Sequence, residues 1–248
     1  MLLYRLPLYI LFGILPSLIW LFYYLKKDLH PEPKRIIMKV FLYGVFITLP
    51  VFILQIGLNE VVKLLENIPW IASFPVILAV FKWFVVIALT EELFKYIVVK
   101  LAVLKSGDLD EPLDIMLYMV VAALGFAALE NVLYLFSPID TISFSAILKT
   151  TVTISFIRFI GATFLHTLCS GLVGYFAALS SLKNHGSIRF TILGLILATL
   201  LHGLYNFSII TLSAPFNFLV PILVITGLAA FIFYDFDEIK KVKSICKI

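Results

Sequence analysis

The chain has 248 residues, of which 62% are apolar and 14% charged, against about 45–50% and about 25% in soluble globular domains. With a mean hydropathy of +1.09, that balance excludes a soluble enzyme, a disordered tail and a collagen-like chain, and it points to an all-α integral membrane protein. The net charge of +4 does not indicate a nucleic-acid partner, because the Lys and Arg residues sit in short stretches between apolar runs.

An apolar run of about 20 residues can cross a bilayer, and only a helix satisfies its backbone groups there. Seven such runs are expected to be helices, at 3–25, 36–57, 74–104, 113–136, 151–182, 190–212 and 216–234. The first contains Pro7 and Pro16, lacks a following A-x-A site and is succeeded by KKDLHPEPKR, so it reads as a retained helix and not a signal peptide. Residues 58–72, NEVVKLLENIPWIAS, read as an amphipathic segment on one membrane face. The third run carries TEELFK (90–95), the fourth GFAALENVLY (125–134), the fifth RFIGATFLHTLCSG (158–171) and the sixth LHGLYNF (201–207). The first, second and seventh carry nothing comparable in their interiors. Residues 1–248 thus form a single transmembrane domain, a polytopic bundle of about seven helices, with a short basic tail at 235–248. Of the two cysteines, Cys169 lies in an apolar run and Cys246 in the tail, which excludes a disulfide framework and a Cys-based zinc site.

Placing the N-terminus outside puts 13 Lys and Arg residues on the inner side and 4 on the outer, Arg5, Lys63, Lys82 and Lys149. That bias favours a cell-membrane protein with its N-terminus outside and its C-terminus cytoplasmic.

An ionisable group inside a span costs about 2.5–3.5 kcal/mol on insertion scales, so a cluster of them suggests function. Glu91, Glu92 and Lys95 lie within one helical turn, His166 and Ser170 share a face, and so do His202 and Asn206. Phe126, Glu130 and Tyr134 form a stripe on the fourth run. Each of four helices therefore offers one polar stripe to a common interior. Asn131 and Ser170 read as helix–helix glue, Arg158 as a counter-charge to a carboxylate, and Gly161, Gly171 and Gly174 as points of close helix approach. Three acids and two imidazoles suit two chemistries: a zinc site with an open water position, or a metal-free site where a buried Glu activates water. No HExxH is present, and spacing alone leaves both open. A proton- or ion-coupled transporter is the competing class, but neither repeats nor broken midplane helices are visible.

EELFK (91–95), GFAALENVLY (125–134), HTLCSGLVGY (166–175) and HGLYN (202–206) occur in the order seen in PrsW-type intramembrane proteases. The segments YLKKDLHPEPKR (24–35) and DEPLDIMLY (110–118) also resemble that family, so the likeness covers about residues 20–210. It is similar, more remotely, to the type II CAAX prenyl endopeptidases, which show a His where this chain has Glu130. The resemblance implies a hydrolase that cuts a membrane-anchored protein within the lipid bilayer, as site-1 proteases of anti-sigma factors do. It implies an active site of Glu91, Glu92, Glu130, His166 and His202, and the family's grouping as metalloproteases favours zinc (Zn2+). On that basis Glu91 is expected to activate water, with Glu92, Lys95 and Asn206 completing the catalytic set and Glu130, His166 and His202 as metal ligands. A non-proteolytic scaffold, as in the related subunit of gamma-secretase, is disfavoured because every polar position is kept.

Depth follows from helix rise. Taking Lys82–Trp83 as the outer edge, Glu91 lies about 12 Å in. Glu130 lies about 9 Å and His202 about 15 Å from their outer ends, and His166 about 22 Å from the start of a run with length to spare. A cavity open to the extracytoplasmic side is expected.

Overall fold

A computed structural model describes residues 2–28, 30–103, 109, 111–136, 143–182 and 188–239; Cys246 and the lysines of the expected basic tail lie outside them. The described residues are helical throughout, without strands. Helix α1 spans Leu2–Leu25, α2 Lys34–Glu66, α3 Pro69–Ala72 and α4 Pro75–Val80. A π-helical segment, Phe81–Leu89, leads into α5, Thr90–Ala102. Then follow α6 Pro112–Leu135, α7 Phe144–Ile160, α8 Ala162–Leu182, α9 Ile188–Thr211 and α10 Phe216–Ile239.

Among the described residues, six helical stretches are long and apolar enough to cross a membrane. The expected third crossing is the path from α4 through the π-helical segment to α5, which is helical throughout but not uniform. The expected fifth is one of the six, Phe144–Ser181, 38 residues broken at Gly161 into α7 and α8. Residues 58–66 continue α2 and do not form a separate surface segment; only Pro69–Ala72 is a short helix of its own.

The bundle is built around α6. In its most apolar stretch 94% of residues are buried, against 28% for α1 and 22% for both α2 and α10. Helices α1, α2, α5 and α8 surround it. Their outward faces carry large apolar side chains such as Phe22, Phe46, Ile53, Phe218 and Leu223, as lipid contact requires. The α2–α6 contact is backbone against backbone. A Cβ on Gly44 would lie 2.2 Å from the Ala122 carbonyl oxygen, and one on Gly125 would lie 2.0 Å from that of Phe41. Such small-residue crossings let helices associate where no hydrophobic drive exists between them. Of the glycines expected to serve close approach on α8, Gly174 does so against Met116 Cα, whereas a Cβ on Gly171 would meet only ordinary contacts.

Two further contacts fix α8. Trp20 of α1 stacks on Phe164 and Phe159 and donates its indole N–H to the Phe159 carbonyl at 3.0 Å, bracing the α7–α8 break. Tyr24 and Thr167 share a hydroxyl hydrogen bond at 3.1 Å. The break therefore sits one turn before His166. Just beyond α1, Tyr118 donates to Glu32 and His30 meets Glu111 at 2.8 Å, joining the segments before α2 and α6.

Candidate active site

The polar stripes of four helices converge. The π-helical segment widens the helix just ahead of α5, and Thr90 caps the disturbance by donating to the carbonyls of Val86 and Ile87, at 2.6 and 2.9 Å. Local π geometry of this kind is common at functional sites. It delivers Glu91, Glu92 and Lys95 to the interior, where all three are buried.

Glu92 is fully enclosed. Its Oε1 accepts from Lys95 Nζ at 2.8 Å and lies 2.9 Å from His202 Nδ1, and its Oε2 accepts from Ser170 at 2.9 Å. Ser170, expected only as glue, thus holds a site carboxylate. Lys95 also lies 2.7 Å from His166 Nδ1, with its ammonium over the Phe126 ring. On its other side, His166 Nε2 meets Glu130 Oε2 at 2.8 Å. Glu130 in turn pairs with Arg158 Nη2 at 3.0 Å, the counter-charge expected of Arg158. Asn131 behaves as glue, donating to the Gly13 carbonyl and Thr163 and accepting from Arg158 Nε.

Each histidine therefore has one ring nitrogen engaged by a carboxylate, Glu130 for His166 and Glu92 for His202. Such partners fix ring orientation and basicity at metal sites. The other nitrogens, His166 Nδ1 and His202 Nε2, each lie 3.8 Å from Glu91 Oε2. That oxygen is 3.7 Å from Lys95 Nζ and is buried without a hydrogen-bond partner. Glu91, His166 and His202 offer one ligand atom each, all within 4.8 Å of one another. An orphaned carboxylate oxygen facing two imidazoles fits a divalent metal ion, and two His with one Glu is a known catalytic zinc set.

A cavity of about 550 Å³ reaches this cluster. Glu91, Glu130, Arg158 and Asn206 stand in its wall, among apolar residues including Phe52, Trp83, Ile157 and Ile210. Glu130 keeps 31% of its side chain exposed, while Glu92 and Lys95 keep none. The lining comes from the middle of α2, from the later turns of α6, α7 and α9, from the start of α8, and from the π-helical segment with Glu91 just after it. The α6 and α9 parts lie toward the end of the bundle where α6 leads to α7 and α9 to α10. Of the seven expected site residues, Glu91, Glu130 and Asn206 border the cavity, Lys95, His166 and His202 contact Glu91 or Glu130, and Glu92 is joined to them through Lys95 and His202.

One residue escaped the sequence reading. Gln55 of α2 donates from Nε2 to Glu91 Oε1 and to Thr90 Oγ1, both at 3.2 Å, and it also lines the cavity. Its signal in the sequence was slight: one uncharged amide near the end of an apolar run.

Comparison with known proteins agrees with the geometry. Residues 32–234 match the PrsW family intramembrane metalloprotease description. Protease PrsW of Oceanobacillus iheyensis is 27% identical over 88% of this chain and 90% of its own length. That of Bacillus subtilis is 27% identical over 86% and 87%, and that of Geobacillus kaustophilus is 29% identical over 80% and 78%. No solved structure matches. With its apolar helices, its buried Glu–His–His cluster and a match over most of its length, this chain belongs to the PrsW family of intramembrane metalloproteases and is a multi-pass membrane protease.

Proposed function

We propose that this protease hydrolyses a peptide bond of a membrane-anchored protein at the Glu91–His166–His202 cluster, with zinc as the ion held there. The observation that carries this is the unpartnered Glu91 Oε2 between His166 Nδ1 and His202 Nε2. Zinc, when bound, lowers the pKa of its water and polarises a carbonyl. Glu130, more exposed to the cavity than Glu91, is the carboxylate placed to take and return a proton. Arg158 holds and aims the Glu130 carboxylate, and the contact of Glu130 with His166 links it to the cluster. Glu92, Lys95 and Ser170 form the closed support that orients His202. Asn206, one turn beyond His202 in the cavity wall, is within the region where a substrate carbonyl would lie.

One contact favours a second, metal-free reading. Lys95 lies 2.7 Å from His166 Nδ1, the nitrogen an ion would use. In that reading Glu91 Oε2 takes the proton from water, and His202 and Asn206 face the oxyanion.

The test is metal analysis of purified protein, wild type against Glu91→Gln and Glu130→Gln. Loss of zinc in Glu91→Gln with retention in Glu130→Gln supports the first assignment. The reverse result restores Glu130 as the ligand, and a zinc-free wild type that still cuts selects the metal-free reading.

The wider topology rests on charge. The cavity end of the bundle carries Arg5, Lys63, Lys82 and Lys149, the sparse set of cations, so we place it on the extracytoplasmic side with the N-terminus outside. Substrate would then be cut near its outer juxtamembrane region. We treat residues 1–248 as one transmembrane unit, with 235–248 as its cytoplasmic tail.

A further inference from the structure

We propose that Gln55 is a positioning residue that fixes the rotation of the Glu91 carboxylate, so that Oε1 is held and Oε2 alone faces the two histidines. The inference deepens the site reading above and rests on Glu91 being functional. A carboxylate at the end of a Glu side chain rotates freely unless its oxygens are held apart by different partners. Here Oε1 accepts from Gln55 Nε2 at 3.2 Å, while Oε2 has no hydrogen bond and faces His166 Nδ1, His202 Nε2 and Lys95 Nζ at 3.7 to 3.8 Å.

The amide is itself oriented. An NH2 group has two hydrogens, and the same nitrogen serves Thr90 Oγ1 at 3.2 Å. Thr90 spends its own hydroxyl proton on the Val86 and Ile87 carbonyls at the end of the π-helical segment. The hydroxyl therefore meets Gln55 as an acceptor. Since Glu91 Oε1 also accepts, the NH2 end of Gln55 must point inward. Gln55 of α2 thus donates both to Thr90, which in turn donates to the π-helical segment, and to Glu91, so the contact with Thr90 fixes the amide that holds the carboxylate.

Gln55 is buried and stands in the cavity wall. It also supplies the hydrogen bond by which α2, packed on α6 and α5, reaches a site carboxylate. A packing role alone would need no amide: a Leu or Met fills comparable volume. Removing the donor leaves Oε1 and Oε2 equivalent, so the geometry offered to the histidines is no longer single. Loss of such an outer partner of a metal ligand costs about 10–100-fold in metal affinity or activity.

The experiment titrates the purified full-length protein in detergent with zinc chloride against a competing chelator dye, for wild type, Gln55→Leu, Gln55→Met and Glu91→Gln. The same variants are read for cleavage of a co-expressed single-span reporter. Gln55→Leu and Gln55→Met should weaken zinc binding by about 10-fold or more. Adding Gln55→Leu to Glu91→Gln should weaken it no further, because the coupling runs through that carboxylate. Elution as a monodisperse peak separates the effect from misfolding, and Gln55→Met keeps the test open if Gln55→Leu fails to fold. Wild-type zinc affinity in either folded variant, or an additive loss in the double variant, overturns the positioning role while leaving the cluster intact. If wild type binds no zinc but cuts, the metal reading falls on its own. The variants are then judged on reporter cleavage, where an unchanged rate in Gln55→Met overturns the proposal and a fall of about 10-fold supports it.

Discussion

Glu91 and Glu92 are adjacent in sequence and should respond in opposite ways to the same substitution. Glu92 is wholly buried and holds Lys95, His202 and Ser170 at 2.8 to 2.9 Å. Glu92→Gln removes the charge facing a Lys95 ammonium that is itself fully buried. Removing one partner of a buried ion pair costs about 3–5 kcal/mol, because the other charge is left uncompensated. For a chain of this size about 1 kcal/mol corresponds to about 2–4 °C in the unfolding midpoint, so the expected fall is roughly 6–20 °C. Glu91 is different. Its Oε2 makes no hydrogen bond and its closest approach to Lys95 is 3.7 Å, so Glu91→Gln should leave the midpoint within a few degrees. The buried Cys169 supplies the assay. In a Cys246→Ser background, a thiol-reactive fluorophore labels Cys169 only as the bundle opens, so its fluorescence against temperature reports unfolding. Lys95→Met added to Glu92→Gln should recover part of the loss, since it removes the stranded charge. A Glu92→Gln protein as stable as wild type, beside a destabilised Glu91→Gln, would show that the two carboxylates have been assigned to the wrong environments.

Glu91→Gln should lower cleavage of a single-span reporter by about 10²-fold or more, whereas Lys63→Gln, on an exposed pair with Glu60, should leave it unchanged. Arg158→Met should lower cleavage by about 10-fold or more by freeing Glu130, which immunoblotting of the reporter would read; an unchanged rate would separate Glu130 from the chemistry. Cysteine at Tyr134, 52% exposed and in the cavity wall, should react with an impermeant thiol reagent added outside intact cells. Labelling only from the cytoplasmic side would invert the proposed topology. Gly44→Leu should abolish accumulation of folded protein, since a side chain there meets the α6 backbone, and normal yield in a detergent extract would contradict the described α2–α6 contact.

The convergence of the site was legible in the sequence because charge inside an apolar run is conspicuous. The Glu91–Glu92–Lys95 cluster, Glu130, His166 and His202 stand out in a chain that is 62% apolar, and helical spacing says which of their neighbours share a face. Division of labour was not legible. Whether Glu91 or Glu130 stands with the histidines depends on Arg158 reaching Glu130 from α7, a tertiary contact between residues far apart in the chain. Gln55 was invisible for a related reason: an amide costs far less in a membrane than a charge does, so it raises no alarm. The 38-residue stretch Phe144–Ser181 reads as one hydrophobic run, and only the Trp20 brace shows why it divides at Gly161. Nothing in FKWFVVIAL distinguishes π from α geometry, because both bury the same apolar residues.

That widened segment bears on how the protein tolerates change in length. Each residue removed from a helix turns everything after it by about 100°, and a π-helical stretch accommodates its surplus by bulging. Phe81–Leu89 therefore sets the angular phase of Glu91, Glu92 and Lys95 relative to α8 and α9. Substituting one apolar residue for another there leaves the phase alone. Deleting one there removes surplus that the bulge absorbs, so the segment can relax toward an ordinary α-helix with the carboxylates kept near their phase. The enzyme should thus be permissive to composition in this stretch and to a single deletion within it, and intolerant of deleting Thr90, where a turn of about 100° has no bulge to absorb it.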